Sequence, residues 1–346
     1  MVSDQIKRMS FILIHMLVVF FMMNTVDAFA SNKFSHVSGN IVEDTIWDDT
    51  SCVYKLTGSI AIKQGVTLTI ASDVVVDGSN YSITVYGSLK ADGATISNTS
   101  ISIGNTSSNE PASIIMKNSS FSNGELLSPT GNATYAHVEL RDNRITDTLR
   151  YTYIWYPIDT TYITGNIFVN FGGFSIGSGN DVYILNNVFK GHNAESRALI
   201  EDWAQYNNSN CYVHYNRFDY TGIVLSLPSG YSPANIIADH NFWYTNNEKE
   251  ISERIFDYND DYGSANEIQF LPILKMTILP EKLSSIDDEA FANTDVEYVI
   301  VPPSCRYIGQ KAFSSCSKLF YIEIPKACII DTGAFDDCPN ITIILY

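Results

Sequence analysis

Long apolar spans, paired Cys-x-x-Cys motifs and basic patches are all missing from this sequence. The apolar stretch Phe11 to Met23 has thirteen residues, interrupted only by His15. That is short of the ~20 residues a transmembrane helix needs. Six cysteines in 346 residues are too few for a disulfide scaffold, and no Cys/His spacing suggests a metal. Lys and Arg number 21 against 38 Asp and Glu, a net charge of −17. Such a field repels phosphate backbones and argues against nucleic acid as a partner. Charged residues make up 17% and hydrophobic ones 45%, with 21 Tyr and 18 Phe, so wholesale disorder is excluded.

The N-terminal stretch has the layout of an export signal. Lys7 and Arg8 precede the apolar run, and Ala28-Phe29-Ala30 supplies a small-x-small site before Ser31. A signal peptide is expected over residues 1–30, with the product secreted or at the cell surface. An uncleaved membrane anchor is the alternative. No Cys follows the run, so lipid attachment at a new N-terminus is not indicated.

From about residue 110 to 245 one phrase recurs: apolar residues, then Asn, then an aromatic or aliphatic residue. Its copies include Tyr162-Ile163-Thr164-Gly165-Asn166-Ile167-Phe168 and Tyr183-Ile184-Leu185-Asn186-Asn187-Val188-Phe189. The anchors Asn118, Asn143, Asn166, Asn187, Asn216 and Asn241 are 25, 23, 21, 29 and 25 residues apart. Each phrase reads as a short period-two strand ended by a residue that bonds local backbone. A period of twenty-odd residues is one turn of a solenoid. Stacked turns align the asparagines into a ladder and bring Phe168, Phe189, Phe218 and Trp243 into an internal row.

These phrases resemble the repeats of right-handed parallel β-helix proteins, the architecture of pectate lyases and many bacterial surface proteins. Tyr54-Lys55-Leu56-Thr57-Gly58-Ser59-Ile60 and Gly65-Val66-Thr67-Leu68-Thr69-Ile70 are similar to the opening coils of secreted members. The segment from Asn241 to Tyr262 is similar to their closing turns, with a short helix expected within Asn246 to Glu253 and a last strand at Glu267 to Pro272.

A second period begins at Leu279. Ala290-Phe291, Ala312-Phe313 and Ala334-Phe335 recur at intervals of 22 and 22. Leu319, Ile322 and Ile324 alternate around residues expected to be exposed, as on the inner strand of a leucine-rich repeat. The pattern resembles the bacterial surface-antigen, BspA-type, leucine-rich repeat. Cys316 and Cys338 stand at its Cys position, and Thr294 replaces that Cys in the first unit. Stacking places Cys305 near Cys328 and Cys316 near Cys338. Parallel side chains suit packing better than an S–S torsion, so buried thiols are the favoured expectation. The expected fold is an all-β solenoid: a signal peptide over 1–30, a right-handed parallel β-helix over 31–275, and about three leucine-rich repeats over 276–346.

Secreted β-helix enzymes mostly act on acidic polysaccharides. A lyase needs a base and a cation to neutralise the uronate; a hydrolase needs paired carboxylates. The densest cluster is Lys190, His192, Glu195, Arg197, Glu201 and Asp202, with His214 and Arg217 one turn later. If the chain is a lyase, Lys190, His192, Arg197, His214 and Arg217 supply the base and neutralising groups. The cluster mixes signs, as solvated loops do. The Asn-Thr-Asp, Asp-Asp and Gly-His-Gly set of the pectin hydrolases is absent as a set, with no Gly-His-Gly anywhere. The Trp-x-Asp-His and Arg-x-Pro-x-x-Arg signatures of pectate lyases are absent too. Asp257, Asp260 and Asp261 are Ca²⁺ candidates without an EF-hand series, and Arg254 is expected to pair with them. No other cofactor is implied. A non-catalytic surface or adhesion protein binding polysaccharide or extracellular protein is the favoured expectation. A polysaccharide lyase or glycoside hydrolase is the alternative.

Overall fold

Alternation of buried and more exposed residues runs along one set of strands, from Thr67–Ile70 to Cys211–His214. Ala112–Lys117 and Tyr135–Arg141 each bury every second side chain. A strand of this kind hides one face and must stack on another copy of itself to extend a core. The computed structural model describes residues 33–131, 134–148, 150–191, 197–205, 209–231 and 233–346. The expected leader, His192 and Glu195 lie outside the described residues. Two compact units divide the described chain, Lys33–Leu274 and Lys275–Tyr346.

The first unit is a parallel β-solenoid with three columns of strands. One column runs Thr45–Trp47, Thr67–Ile70, Ser88–Asp92, Ala112–Lys117, Tyr135–Arg141, Thr161–Thr164, Val182–Leu185, Cys211–His214 and Ile236–Ile237. A second runs from Cys52–Ile62 through Val75–Asp77, Thr95–Ser97, Ser120–Gly124, Arg144–Thr148, Ile167–Val169 and Val188–Gly191 to Arg217–Tyr220. The far end of Cys52–Ile62 opens a third side with Ser82–Val85, Ser100–Ile103 and Leu126–Pro129. A separate stack then runs Thr152–Ile154, Phe174–Ile176, Ile200–Asp202, Leu225–Ser226 and Ile255–Phe256.

Parallel register turns the sequence repeat into continuous rows. Met116, Leu140, Ile163, Ile184 and Val213 lie in line and are fully buried. Phe121, Ile145, Phe168, Phe189 and Phe218 form a second internal row. Within it the Phe168 and Phe189 rings stack at 4.8 Å, and Phe189 and Phe218 at 5.5 Å. Trp243 closes the row with its centroid 4.8 Å from Phe218.

The asparagine ladder forms, with one shift of register. Asn143, Asn166, Asn187, Asn216 and Asn241 are all buried. The Oδ1 of Asn166, Asn187, Asn216 and Asn241 each accepts the backbone N–H and the side-chain Nδ2 of the preceding rung, at 2.8–3.0 Å. Each rung's Nδ2 also donates to a carbonyl one turn back, such as Asn187 to Ile163 at 2.8 Å. Asn118 is not a rung. Ser119 holds that place, its N–H donating to Asn143 Oδ1 at 3.0 Å. Asn118 instead occupies the preceding bend at φ +48°, where Asp142, Asn186, Tyr215 and His240 are also left-handed. Asn and Asp tolerate that region best among residues with a Cβ.

The short helix appears at Glu248–Ser252, capped by the Asn247 side chain accepting from Lys249 N at 3.1 Å. The expected last strand at Glu267 to Pro272 reduces to one parallel bridge between Ile237 and Gln269.

In the second unit Met276–Ile278, Tyr298–Ile300, Tyr321–Ile324 and Thr342–Leu345 form one parallel sheet. Ser285–Ile286, Tyr307–Ile308 and Ile329–Ile330 form another. Leu319, Ile322 and Ile324 are core residues. Tyr321, which lies between them in sequence, is buried as well. Its ring lies 5.6 Å from Tyr298, whose hydroxyl donates to Glu323.

Candidate functional site

The described basic residues of the sequence cluster are carried by three different columns. Lys190 is exposed on the second column, in register with Val169 and Asp219. Arg217 starts the next strand of that column but is buried, its Nη2 donating to Tyr244 OH at 2.6 Å. His214 ends a strand of the first column, with Nδ1 2.7 Å from Asp239 Oδ1. His240 Nδ1 meets the same oxygen at 2.8 Å. Arg197 precedes the third-side strand Ile200–Asp202, its guanidinium 5.4 Å over the Tyr151 ring.

The closing-turn aspartates serve backbone amides. Asp257 accepts from Asn259 N at 2.9 Å and from Ile268 N at 2.7 Å, one amide on each oxygen. Asp260 accepts from Asp257 N at 3.2 Å, and Asp261 from Gly263 N at 2.8 Å. Among the described residues no group of three or more His, Cys, Asp or Glu side chains is arranged to hold a metal ion. Arg254 does not take its hydrogen bonds from these aspartates. Its guanidinium donates to the carbonyls of Trp243, Tyr220 and Phe218 at 3.1, 2.7 and 3.3 Å. Burial lowers its pKa, and the three carbonyls compensate the buried charge.

The third side carries a cleft of about 410 Å³, and Arg197 is the member of the sequence cluster among its described lining residues. Tyr151, Tyr153, Trp155, Trp203 and Tyr231 give it aromatic walls, and Ser175, Ser178 and Gln205 supply polar atoms. Its floor follows from register. Ile154, Ile176 and Asp202 are aligned on adjacent strands. The residues after them are Trp155, Gly177 and Trp203, so two indoles stand two turns apart with glycine between. A Cβ on Gly177 would sit 2.7 Å from both Cα and O of Trp155, so the turns close only because that side chain is absent.

Both indoles are held in place. Trp155 Nε1 donates to Ser175 Oγ at 3.0 Å, and Trp203 Nε1 to Glu201 Oε2 at 3.0 Å. Tyr153 meets Trp155 edge-on at 4.9 Å, and Tyr231 meets Trp203 edge-on at 4.7 Å. Tyr151 donates its hydroxyl to Ala198 O at 2.8 Å. Burial first, and then the Glu201 carboxylate, pushes the Tyr151 phenol far up, so it stays a protonated donor rather than a base.

Asp202 points inward beneath this cleft, taking Ala204 N at 2.9 Å and Asn235 N at 3.0 Å. Burial raises its pKa to about 7 against these two stabilising bonds. An unfolded Asp titrates near ~3.9, so between about pH 4 and 7 the folded state binds more proton than the unfolded chain. Stability through this residue is therefore present at pH 4 and falls as pH rises toward 7. Urea denaturation of the wild-type chain and of Asp202→Asn should show it. Relative to the variant, wild type should lose stability from pH 5 to 8, whereas parallel pH profiles would contradict the assignment.

Comparison with known families places the C-terminal part. Residues 268–346 match the BspA type leucine rich repeat region, in six copies. No curated protein and no solved structure matches the chain. Within the BspA-type region, strand partners recur from Met276 to Tyr298, Tyr321 and Thr342, so each turn takes 21 to 23 residues. The Phe291, Phe313 and Phe335 rings stack at 5.0 and 5.5 Å. All six cysteines of the chain are free thiols, and Cys305 and Cys316 of this region are buried. Cys316 Sγ donates to Phe291 O at 3.0 Å, and Cys338 Sγ to Phe313 O at 2.9 Å. Each thiol thus reaches back one turn to a phenylalanine carbonyl. Thr294, at the Cys position of the first turn, bonds Phe291 O within its own turn at 2.7 Å.

The convergent aromatic cleft is what sequence reasoning missed. Trp47 and Trp243 are core residues, whereas Trp155 and Trp203 are half-buried at the cleft. The signal was there only after alignment of the turns, because 48 residues separate these two tryptophans.

Proposed function

We propose that this chain is a non-catalytic binding protein of the adhesion type, exported to the cell surface or beyond, that recognises glycans through the aromatic cleft of its β-solenoid. One observation carries the reading: two locked indoles and four tyrosines, Tyr156 among them, face one cleft edged by hydroxyl and amide groups. Sugar rings present apolar C–H faces and a polar rim, which such a lining matches. Both indoles and Tyr151 are held by hydrogen bonds of the solenoid, so little of their ordering cost falls on binding. The described basic groups of the candidate set are spread over three columns, two of them already engaged by Tyr244 and Asp239. The BspA-type repeats, which resemble those of bacterial surface antigens, fit the same role. The reading asks for no cofactor.

Polysaccharide and glycan arrays scored for both binding and cleavage test it. Saturable binding is expected, with no product carrying the ultraviolet absorbance of an unsaturated sugar. Turnover that Lys190→Ala or Arg197→Ala abolishes, with the fold kept, would instead establish a lyase. Export has its own check. N-terminal sequencing of secreted protein should begin at Ser31, and Met1 retained in a membrane fraction would mean an anchor.

A further inference from the structure

We infer that the cleft takes a neutral, unbranched β-1,4-linked polysaccharide lying along the solenoid axis, with alternate sugar rings stacked on Trp155 and Trp203. The inference rests on the glycan reading above and adds the linkage and direction of the ligand.

Spacing is the first ground. Trp155, Gly177 and Trp203 continue three adjacent parallel strands, Gly177 N donating to Ile154 O at 2.8 Å and Trp203 N to Ile176 O at 2.7 Å. Parallel neighbours lie ~4.8 Å apart, which puts the two indoles ~9–10 Å apart along the axis. In an extended β-1,4-linked chain every second ring repeats the same face at close to that distance. An α-1,4-linked chain coils and does not present its alternate rings in one plane. Gly177 leaves the space between the indoles free for the intervening ring, and Ser178 and Gln205 stand at its edge for hydroxyl contacts.

The state of the two indoles is the second ground. Here both indole N–H groups are already given to Ser175 and Glu201, so the tryptophans offer ring faces and no donor. Ring faces suit the C–H surfaces of pyranoses. Charge is the third ground. A net charge of −17 repels a polyanion at long range, and Arg197, the charged side chain among the described lining residues, lies over the Tyr151 ring, which also feels the Glu201 carboxylate.

Calorimetric titration of the mature full-length protein tests this with cellohexaose, maltohexaose and a proline-rich peptide as probes, followed by a cello-oligosaccharide length series. Cellohexaose should bind at least tenfold more tightly than maltohexaose or the peptide. Affinity should climb steeply between the disaccharide and the tetrasaccharide, then level off. Trp155→Ala and Trp203→Ala should each weaken cellohexaose at least tenfold, and Trp155→Tyr and Trp203→Tyr, which keep a ring, should recover most of it. Equal or tighter binding of maltohexaose, or peptide binding lost in the same variants, would overturn the assignment. Array-positive glycans whose binding ignores all four variants would also overturn it while leaving glycan recognition standing. Absence of binding to any carbohydrate would sink both readings.

Discussion

Replacing Asn187 by Ala is expected to destabilise the solenoid by about 3–6 kcal/mol, a large share of the stability of any domain. This residue satisfies groups on two neighbouring turns at once. Its Oδ1 takes Asn166 N at 2.9 Å and Asn166 Nδ2 at 3.0 Å, while its Nδ2 supplies Ile163 O and Asn216 Oδ1. None of these groups has access to water, because Asn166, Asn187 and Asn216 are fully buried. Alanine removes the partner and leaves the donors stranded, and each stranded group costs roughly 1–3 kcal/mol. Urea denaturation monitored by far-ultraviolet circular dichroism would read the change as a lower midpoint. A shift worth less than about 1 kcal/mol would mean that the ladder is not a stabilising spine.

Phe189→Ala should cost about 3–5 kcal/mol. The ring is fully buried between Phe168 at 4.8 Å and Phe218 at 5.5 Å, with the Phe174 edge at 6.4 Å. Strands in parallel register cannot close over the lost ring without breaking the pairing on both sides, so the cavity remains. Tyr183 is the internal control. It stacks between Tyr162 at 5.5 Å and Tyr212 at 4.6 Å, but on the outer side of the first column. Truncating it should cost about 1 kcal/mol, the worth of an aromatic pair without core burial. Comparable losses at Phe189 and Tyr183 would contradict the assignment of inner and outer rows.

The internal rows were legible in the sequence because a solenoid writes its contacts as a period. The five buried asparagines and the phenylalanine row follow directly from the recurring phrase. Asn118 shows the limit of that reading. A bend residue and a ladder residue stand side by side, and both favour Asn, so Asn118-Ser119 and Asn186-Asn187 look alike although only the second places Asn on the rung. The third side was harder to see. Its strands are as short as Leu225–Ser226 and mix buried serine, threonine and carboxylate with apolar residues.

The cleft was hidden for a related reason. Trp155, Gly177 and Trp203 follow the rungs Asn143, Asn166 and Asn187 by 12, 11 and 16 residues. The longer third interval breaks the phase, so no fixed spacing marks the column. The charged cluster drew attention to the same turns, but charge near in sequence need not meet in space. Lys190 and Arg197, seven residues apart, lie on different sides of the solenoid.

Tryptophan emission offers the most direct measurement of glycan binding at the cleft. Of four tryptophans, Trp47 and Trp243 are buried in the core and Trp155 and Trp203 line the cleft. Titrating the mature chain with an array-positive glycan should give a saturable change in emission. The change should vanish in the Trp155→Phe, Trp203→Phe double variant while the core tryptophans still report a folded chain. An undiminished change in that variant, or glycan binding that leaves the emission untouched, would contradict recognition at this cleft.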